Sequence, residues 1–436
     1  MVEVVHAEPQ KTFFVDMFTK DIGLGDCVLD LIDNSIHSLI TTANIDITRT
    51  LTGRTRLRLP GDPKIDLNFD SKRFVIRDNC GGIKKIDAIN DVFLFGRRKQ
   101  PEQKPGLGIY GVGMKRALFK LGRKIQVISR TNGDMFRVPI DVDEWRKTDD
   151  WSFPLEDMKN GSVLKKPGVY IEVTQLNDLI SKRLGSPAFK GELVDKISTA
   201  YALFMDCGLG INVNAEQVPH TMPEFETQSA KPARKEMRVE DVSVLIMAGL
   251  TPKFHREPEG WYVFCNGRLL LARDQSTKTG WGVDGFPQFH SKFNHFLGTV
   301  YFTSRDLEKL PWTTTKREVD EESPIYQEVL TEMKIIARSV LNELAKLYPT
   351  DKDDEAIVQR EIFLDSKSTP VTKLPHKESL FRVTPVRTTK PTETTITYRK
   401  PVEIVKKVKM VIGRPYMSNK EVGEYTFQYF VEKECE

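Results

Sequence analysis

The sequence predicts an α+β protein with a largely antiparallel sheet, followed by a second, smaller α+β unit. Helix-like and strand-like stretches follow one another in the order helix, strands, helix, strands up to about residue 215. Residues 219–238, which contain Pro, Lys and Ser, then mark a boundary. Beyond it, a strand pair turns at Asn266-Gly267 and an amphipathic helix covers 323–347, which together indicate the second unit.

The composition fits a folded chain with hydrophobic cores. Of the 436 residues, 39% are hydrophobic and 29% are charged, and the net charge of +4 does not by itself indicate nucleic-acid binding. The five cysteines are scattered and form no CxxC pair, which indicates reduced thiols and not a disulfide framework or a zinc site. No apolar run approaches the roughly 20 residues of a membrane span, and the first residues do not resemble a signal peptide. We therefore expect a soluble protein that is cytoplasmic or associated with the nucleoid.

A helix with one buried face is predicted from Asp26 to about Leu39. Its apolar residues follow helical spacing, and they are Val28, Leu31, Ile32, Ile36 and Leu39. Asp30 and Asn34 are four residues apart, so they are neighbours on one face of this helix. Such a pair is ordinarily part of a solvated polar face, and the alternative is that it belongs to a functional site.

Two strands follow this helix, at 64–69 and 73–77. The second strand runs directly into Asp78-Asn-Cys-Gly-Gly-Ile83, which predicts a sharp polar turn at the edge of a sheet. This turn is either a plain hairpin or a means of directing the carboxylate of Asp78 into a pocket. A helix at 84–94 and a basic loop at 95–105 come next, and the cations of the loop, Lys99 among them, either meet phosphates or are solvated.

The stretch 106–117 is the glycine cluster of the chain and reads Gly-Leu-Gly-Ile-Tyr-Gly-Val-Gly-Met-Lys-Arg-Ala. Three of its glycines, at 108, 111 and 113, fall within six residues, and a helix is predicted from Met114. Glycine lets neighbouring backbone N–H groups crowd together, and such groups at a helix N-terminus can hold phosphate oxygens. Lys115 and Arg116 follow where cations suit a polyphosphate. Without other evidence, the cluster is equally consistent with an ordinary turn.

The C-terminal part of the chain differs in character. Residues 365–400 are rich in Thr, Lys and Pro and predict a linker. Between Arg382 and Arg414 there are nine Lys or Arg and two Glu, a local excess of +7. Val and Ile interleaved with basic residues at 402–412 predict a basic strand, and a final helix begins after a capping residue at Ser418. The predicted domains are therefore 1–218, 236–348, a linker at 349–400 and a basic module at 401–436.

Three motifs in this order resemble those of the GHKL (Bergerat-fold) ATPases, which include gyrase, the heat-shock chaperone of that group, histidine kinases, MutL and MORC proteins. Asp30-Leu-Ile-Asp-Asn-Ser35 is similar to the first motif of the family, Glu-Leu-x-x-Asn-Ser. Asp78–Ile83 is similar to Asp-Asn-Gly-x-Gly-Ile. The glycine cluster is similar to the third motif, which flanks a lid, and Gly111-Val-Gly-Met-Lys115 looks most like MORC sequences.

The resemblance covers about residues 10–215 and implies a Bergerat-fold α/β sandwich that binds ATP and Mg²⁺. It implies that Asp30 is the general base, Asn34 the Mg²⁺ ligand and Asp78 the adenine anchor. The second unit looks like the transducer domain, with a fold like that of ribosomal protein S-five, and Lys316 would then contact the γ-phosphate. The residues that the resemblance places at the nucleotide are Asn34, Asp78, Gly82, Ile83, Lys99, Gly108, Tyr110, Gly111, Val112, Gly113, Met114 and Lys115.

The resemblance also implies partners. A MORC/MutL-like protein would close its lid over 96–107 on ATP and form an ATP-dependent homodimer, a molecular clamp. The basic tail is interpreted either as a DNA-binding region, in genome maintenance or antiviral defence against foreign DNA, or as a solvated tail or docking peptide. The alternative functions are a chaperone-like or signalling ATP-binding protein with a protein partner, and a nucleotide switch without useful hydrolysis.

Four positions depart from the family pattern. Asp30 replaces the usual glutamate, so the carboxylate is one methylene short, and slow hydrolysis or a closer helix would follow. Cys80 stands in place of the first glycine of the second motif. His37 stands where many members have Asp, and Gly168-Val169 stands where a Gly-Thr pair is common.

Overall fold

The structure is a computed structural model that describes residues 10–46, 58–96, 107, 111–159, 163–251, 259–313, 315–346, 368–383, 396 and 398–435. The chain divides into two compact units, Met1–Pro385 and Val386–Glu436. Among the described residues, no helix combines the length and the apolar character that crossing a membrane requires.

The helices of the first unit are α1 (Lys11–Lys20), α2 (Leu24–Thr42), α3 (Lys85–Asp87, continued by a π-helical turn at Ala88–Val92), α4 (Gly113–Leu121), α5 (Val142–Arg146), α6 (Asp178–Leu184), α7 (Pro187–Ala200), α8 (Ala202–Asp206) and α9 (Pro324–Lys346). Its strands are β1 (Lys64–Phe69), β2 (Arg73–Asp78), β3 (Gly122–Arg130), β4 (Met135–Asp141), β5 (Glu156–Asp157), β6 (Gly168–Leu176), β7 (Gly210–Val213), β8 (Glu216–Gln217), β9 (Glu224–Glu226), β10 (Ala230–Lys231), β11 (Ala233–Val239), β12 (Val242–Leu250), β13 (Trp261–Cys265), β14 (Arg268–Asp274), β15 (Phe296–Thr303), β16 (Ser368–Pro370) and β17 (Arg382–Val383).

The larger sheet has the strand order β5-β4-β3-β6-β2-β1-β7-β8 within the described residues. Its neighbours are antiparallel except β1 and β7, which run parallel. Buried residues alternate with more exposed ones along β1 and β4, because successive side chains of a strand point to opposite faces. The predicted fold class, a mixed α+β protein with a large and largely antiparallel sheet, is confirmed.

Helix α2 is at the centre of the first unit and packs against α4 and α7. Thirteen of its nineteen residues are buried, so it is covered on more than one side and not only along an amphipathic stripe. Helix α1 packs on its own chain: Phe14 contacts Phe95 and Trp151, and Lys11 Nζ donates to Trp145 O at 2.9 Å.

The smaller sheet has the order β11-β12-β15-β13-β14, and α9 packs across β11, β12 and β15. Strands β13 and β14 form the predicted hairpin, and Asn266 and Gly267 at its turn have φ of 46° and 84°. Two consecutive positive φ angles are what a tight two-residue hairpin turn requires. Helices α7 and α8 pack against β14, and α7 also packs against α2.

Part of the range predicted as a linker is packed on the first unit. Strand β16 pairs with β9, and β17 pairs with β10. Between them, Val371, Leu374 and Phe381 are buried. Residues 368–383 are therefore an integral part of the unit that holds both sheets.

One helix is interrupted, and one sequence-based expectation is wrong. Helices α7 and α8 are separated at Tyr201, whose side chain donates to Leu29 O on α2 at 2.8 Å. The strand predicted at 402–412 is a helix, α10 (Val402–Ile412). Its half-buried residues, Val405, Val408, Lys409 and Ile412, recur every three or four positions, which is the helical period.

The second unit contains α10 and α11 (Asn419–Glu434). Ser418 caps α11 as predicted: its Oγ accepts from Glu421 N at 3.2 Å, and its own N donates to Glu421 Oε2 at 2.6 Å. This reciprocal pair is a capping box, which satisfies two backbone donors that the first turn otherwise leaves without partners.

Candidate functional site

Asp30 lies on α2 where the start of α4 approaches it. The side chain is buried, and its Oδ2 accepts from Arg116 Nη2 at 2.9 Å. A Cβ placed on Gly113 would lie 3.1 Å from the same Oδ2, so this position leaves little room for any side chain. Glycine at 113 therefore allows the first turn of α4 to pack directly on the carboxylate.

The surroundings of Asp30 shift the pKa of its carboxyl group in opposite directions. Burial raises the pKa of Asp30 above its ordinary value, because removal from water disfavours the charged form. Lys316 and Arg116 lower the pKa, and the nearby carboxylate of Asp33 raises it. The result is a carboxylate with a raised pKa that is held by a cation.

Asp78 ends strand β2 and contacts α2 through Ser35. Ser35 Oγ donates to Asp78 Oδ2 at 2.7 Å, and Oδ1 accepts from the backbone N of Cys80 at 2.9 Å and of Val169 at 3.2 Å. Burial raises the pKa of Asp78, and these three hydrogen bonds counteract that rise. The carboxylate is thus fixed by groups from three separate elements of the fold.

Gly82 and Ile83 hold the turn after Asp78 against the sheet. Gly82 has φ of 77°, and a Cβ there would collide with the carbonyl of Arg130 on β3. Ile83 N donates to Ser129 Oγ at 2.7 Å, and Ser129 Oγ donates to Ile83 O at 2.9 Å. A side chain at position 82 would therefore be both strained and obstructed.

The described end of the glycine cluster leads directly into α4. Gly111 is exposed with φ of 63°, Val112 is the N-cap residue and Gly113 is the first residue of the helix. Met114 is buried. The backbone N–H groups of this first turn have no partners within the helix, which is the arrangement that suits an anion.

Lys115 does not point to this helix start. Its Nζ donates to Val92 O at 2.7 Å and lies 5.8 Å from the centre of the Phe95 ring. The side chain is buried, and burial lowers the pKa of Lys115 to about 8. Lys115 therefore anchors the segment that precedes residue 96, and the neighbouring Arg116 is the cation that reaches α2.

Lys316, in the segment between β15 and α9, also contacts α2. Its Nζ donates to Asp33 Oδ2 at 3.0 Å, and Arg268 Nη1 also donates to this oxygen. Tyr201 Oη lies 2.8 Å from Asp33 Oδ1. Asp33 is completely buried and directly precedes Asn34, so these groups surround the middle of the first motif.

The three motifs therefore meet along α2. Its Ser35 contacts the end of β2, and its Asp30 contacts the start of α4. Asn34 lies between them on the helix, half-buried, and its Nδ2 is buried without a hydrogen-bond partner in the described part of the chain. Of the predicted nucleotide contacts, Lys99, Gly108 and Tyr110 lie outside the described residues.

Sequence reasoning missed the partners of Asp33. Arg268 and Tyr201 are more than 160 residues away along the chain, and no local motif marks them. One signal was present: Asp33 lies next to the apolar core position Ile32 and three residues before Ile36, where a charged residue needs a buried partner.

The side chains at this site are better suited to hold a metal ion through one neutral amide oxygen than through a cluster of carboxylates. No group of three or more His, Cys, Asp or Glu side chains in the described ranges is arranged to hold a metal ion. Asn34 offers an amide oxygen, which is a ligand type that Mg²⁺ accepts while it keeps several waters.

A comparison with protein families finds a match, and it covers the part of the chain that contains the three motifs. The family model described as histidine kinase-, DNA gyrase B- and HSP90-like ATPases matches residues 24–166. This range begins at the first residue of α2 and includes β2, the glycine cluster and α4. A search of curated proteins found no match for the chain. The family match supports a GHKL-type ATPase domain over residues 24–166, and with it ATP binding and hydrolysis.

Proposed function

We propose that this chain is a MORC/MutL-like ATPase that binds Mg·ATP along α2 and hydrolyses it slowly. The observation that carries the proposal is the double contact of α2, which reaches the end of β2 through Ser35 and the start of α4 through Asp30. In this proposal, the contacts of α2 bring the residues assigned as purine anchor, general base and phosphate cradle to one helix. These are the parts that ATP hydrolysis requires.

Asp78 is the proposed adenine anchor. An ionised carboxylate has about four acceptor sites, and the hydrogen bonds of Asp78 occupy three of them. An exocyclic amine of adenine would donate to the remaining site. Gly82, Ile83, Gly111, Val112, Gly113 and Met114 are the proposed remaining contacts within the described residues, and Lys99, Gly108 and Tyr110 complete the set inferred from the resemblance. Lys115 would contribute its backbone N–H alone, because its side chain donates to Val92 O.

Asn34 is the proposed Mg²⁺ ligand. Its half-buried amide carries an Nδ2 without a partner in the described part of the chain, so no hydrogen bond from Nδ2 fixes the direction of its oxygen. A bound Mg²⁺ would neutralise phosphate oxygens. The protein contributes the orientation of the amide, because α2 is held by Asp78 at Ser35 and by Arg116 at Asp30, on either side of Asn34 in the helix.

Asp30 is the proposed general base. Its raised pKa increases its affinity for a proton from water, and Arg116 keeps the carboxylate oriented. The charged hydrogen bond from Arg116 also opposes protonation of Asp30. This opposition supports slow turnover, because a base that is stabilised in its charged form accepts a proton less readily.

The smaller sheet with α9 is proposed to be an S5-like transducer within 236–348, which follows an ATPase domain at 1–218. Its Lys316 already contacts α2, which supports a role at the γ-phosphate. ATP would favour a closed state in which two chains associate as a clamp, by binding that state more tightly than the open one.

DNA is the proposed partner of the basic C-terminal region, in genome maintenance or in defence against foreign DNA. Support comes from the cations of α10, which include Lys406, Lys407 and Lys409. One observation favours the alternative, a chaperone-like or signalling protein with a protein partner. Aromatic side chains of α11, Phe427 and Phe430 among them, are more than half exposed.

Size-exclusion chromatography combined with nucleotide binding and phosphate release tests the proposal. The protein is run with ADP and with a non-hydrolysable ATP analogue, each with and without duplex DNA. We expect binding of both nucleotides, and association into a dimer with the ATP analogue alone. Absence of any nucleotide binding would refute the ATPase function. Nucleotide-dependent association without DNA affinity would favour the protein-partner alternative.

A further inference from the structure

Asp33 is the centre of a buried ion network between α2 and the smaller sheet. Its Oδ2 accepts from both Lys316 Nζ and Arg268 Nη1. The side chains of Asp33, Arg268 and Lys316 are 0%, 3% and 9% exposed. One carboxylate therefore faces two cations that are almost completely removed from water.

The charges of the surrounding network do not balance. Asp33 alone faces two cations, Arg268 and Lys316, whereas Asp30 pairs with Arg116. One turn before Asp30, Asp26 likewise faces two cations, Arg317 and Lys196. Burying a cation without a full counter-charge is costly. The network therefore favours the arrival of one further anion beside α2.

The two cations on Asp33 are carried by different kinds of backbone: Arg268 lies in a strand and Lys316 in a connecting segment. Arg268 begins strand β14 and follows the hairpin turn at Asn266-Gly267, and its strand position pairs with Cys265. Lys316 lies in the segment between β15 and α9, with a φ of 54°. A lysine also carries its charge at the end of a flexible four-carbon chain, whereas the arginine fork is planar and more rigid. Lys316 is thus the cation better able to change partners.

Lys316 also acts on Asp30, since it lowers the pKa of that carboxylate. Asp30 and Asp33 are three residues apart on α2 and are therefore neighbours on its surface. A short movement of the Lys316 ammonium along α2 would bring it from Asp33 to the region beside Asp30.

We propose that Arg268 is a positioning residue: it neutralises Asp33 and thereby releases Lys316 to pair with the terminal phosphate of ATP. This inference rests on the proposed nucleotide site and deepens it, because it assigns the discrimination between ATP and ADP to an exchange of partners. Lys316 leaves Asp33 only when a γ-phosphate offers an alternative, and Arg268 and Tyr201 remain on Asp33.

The test compares affinities for a non-hydrolysable ATP analogue and for ADP, both with Mg²⁺, by competition with a fluorescent nucleotide. The variants are Arg268→Gln, Asp33→Asn, the double variant and Lys316→Gln, in the full chain. Circular dichroism and thermal unfolding check that each variant is folded.

Arg268→Gln leaves Lys316 as the sole cation of Asp33, so we expect the preference for ATP to fall roughly tenfold or more, as on loss of a charged hydrogen bond. ADP affinity should stay within about twofold, and Lys316→Gln should show the same pattern. Asp33→Asn removes the competing anion, so the double variant should recover the preference for ATP. If Arg268 has a purely structural role, its replacement should instead lower the affinities for the ATP analogue and for ADP by similar factors.

An unchanged ATP preference in Arg268→Gln would overturn the inference, and so would a double variant that prefers ATP less than Asp33→Asn does. If Arg268→Gln does not fold, the comparison of Asp33→Asn with the double variant is the test. An equal preference for ATP in these two variants supports the exchange of partners. A loss of that preference in the double variant refutes it. A wild-type protein that binds ATP and ADP equally would refute the exchange and leave nucleotide binding intact. A wild-type protein that binds neither would refute the proposed function itself.

Discussion

Arg116 Nη2 donates to Asp30 Oδ2 at 2.9 Å, and this contact joins the helix after the glycine cluster to the first motif. Gly113 and Arg116 are three residues apart on α4, so both lie on the face that meets Asp30. The absence of a side chain at Gly113 brings α4 close, and Arg116 then reaches the carboxylate. The shorter side chain of Asp30, where the family has glutamate, is thus accompanied by a close approach of α4.

Asp30→Asn should abolish hydrolysis and preserve ATP binding. The amide keeps the shape of the side chain but cannot accept a proton from water, so phosphate release should fall by about 100-fold or more. Binding of a fluorescent ATP analogue measures the retained affinity. Asp16→Asn, at an exposed position on α1, is the matched control and should behave as wild type. Normal turnover by Asp30→Asn would remove Asp30 from the role of base.

Asp78→Asn should weaken ATP binding by more than tenfold and destabilise the fold. An amide group cannot accept from all three donors that now contact Asp78, so we expect the free energy of unfolding to fall by about 1–3 kcal/mol. Ser35→Ala removes only one of these donors, and its cost should be about 1 kcal/mol. Urea unfolding and equilibrium ATP binding measure the two effects. Wild-type ATP affinity in Asp78→Asn would exclude the adenine contact.

Gly82→Ala should destabilise the protein more than Gly61→Ala does. The two glycines have nearly equal φ angles, 77° and 80°, but a Cβ on Gly82 collides with the Arg130 carbonyl while a Cβ on Gly61 meets nothing within 4 Å. Backbone strain alone should cost about 1 kcal/mol in both, and the collision should add about 1–3 kcal/mol at Gly82. If urea unfolding shows equal losses of unfolding free energy in the two variants, the close approach of Gly82 to β3 does not contribute to stability.

The buried ammonium of Lys115 should make stability rise with pH. Its folded-state pKa of about 8 lies below the ordinary value of 10.5, so between these values the unfolded chain holds a proton that the folded chain has lost. The free energy of unfolding of the wild type, relative to Lys115→Met, should therefore increase from pH 8 to 10.5 by up to roughly 3 kcal/mol. Urea unfolding at pH 7, 8.5 and 10 measures the difference. The exposed Lys182, replaced by Met, should show no such rise.

Truncation after Pro385 should remove salt-dependent DNA binding and preserve ATP binding. This position is the boundary between the two compact units, and it retains residues 368–383, which pack on the first unit. Replacing Lys406, Lys407 and Lys409 with Gln in the full chain should reduce the salt dependence of binding by about one phosphate contact for each lysine that meets DNA. Fluorescence anisotropy over a salt series measures both. DNA affinity that survives truncation would place the DNA surface in the first unit.

Local patterns in the sequence were sufficient for the motifs and their elements. The apolar spacing at Val28, Leu31, Ile32 and Ile36 predicted α2, and Asn266-Gly267 predicted the hairpin of β13 and β14. The helix at Val402–Ile412 was missed because Val and Ile interleaved with basic residues also suit a strand. Only the recurrence of Val405, Val408 and Ile412 distinguishes the helical period.

The sequence by itself determined the α+β class, the order of three motifs and the placement of Asp30 and Asn34 on one helix face, because these features depend on residues within a turn or two of each other. The tertiary structure alone decided that Lys115 anchors Val92, that Arg116 holds Asp30, and that Asp33 pairs with both Lys316 and Arg268. These contacts join residues up to 283 positions apart. Their geometry depends on strand register and on how α2 packs between two sheets, and no short stretch of sequence encodes either.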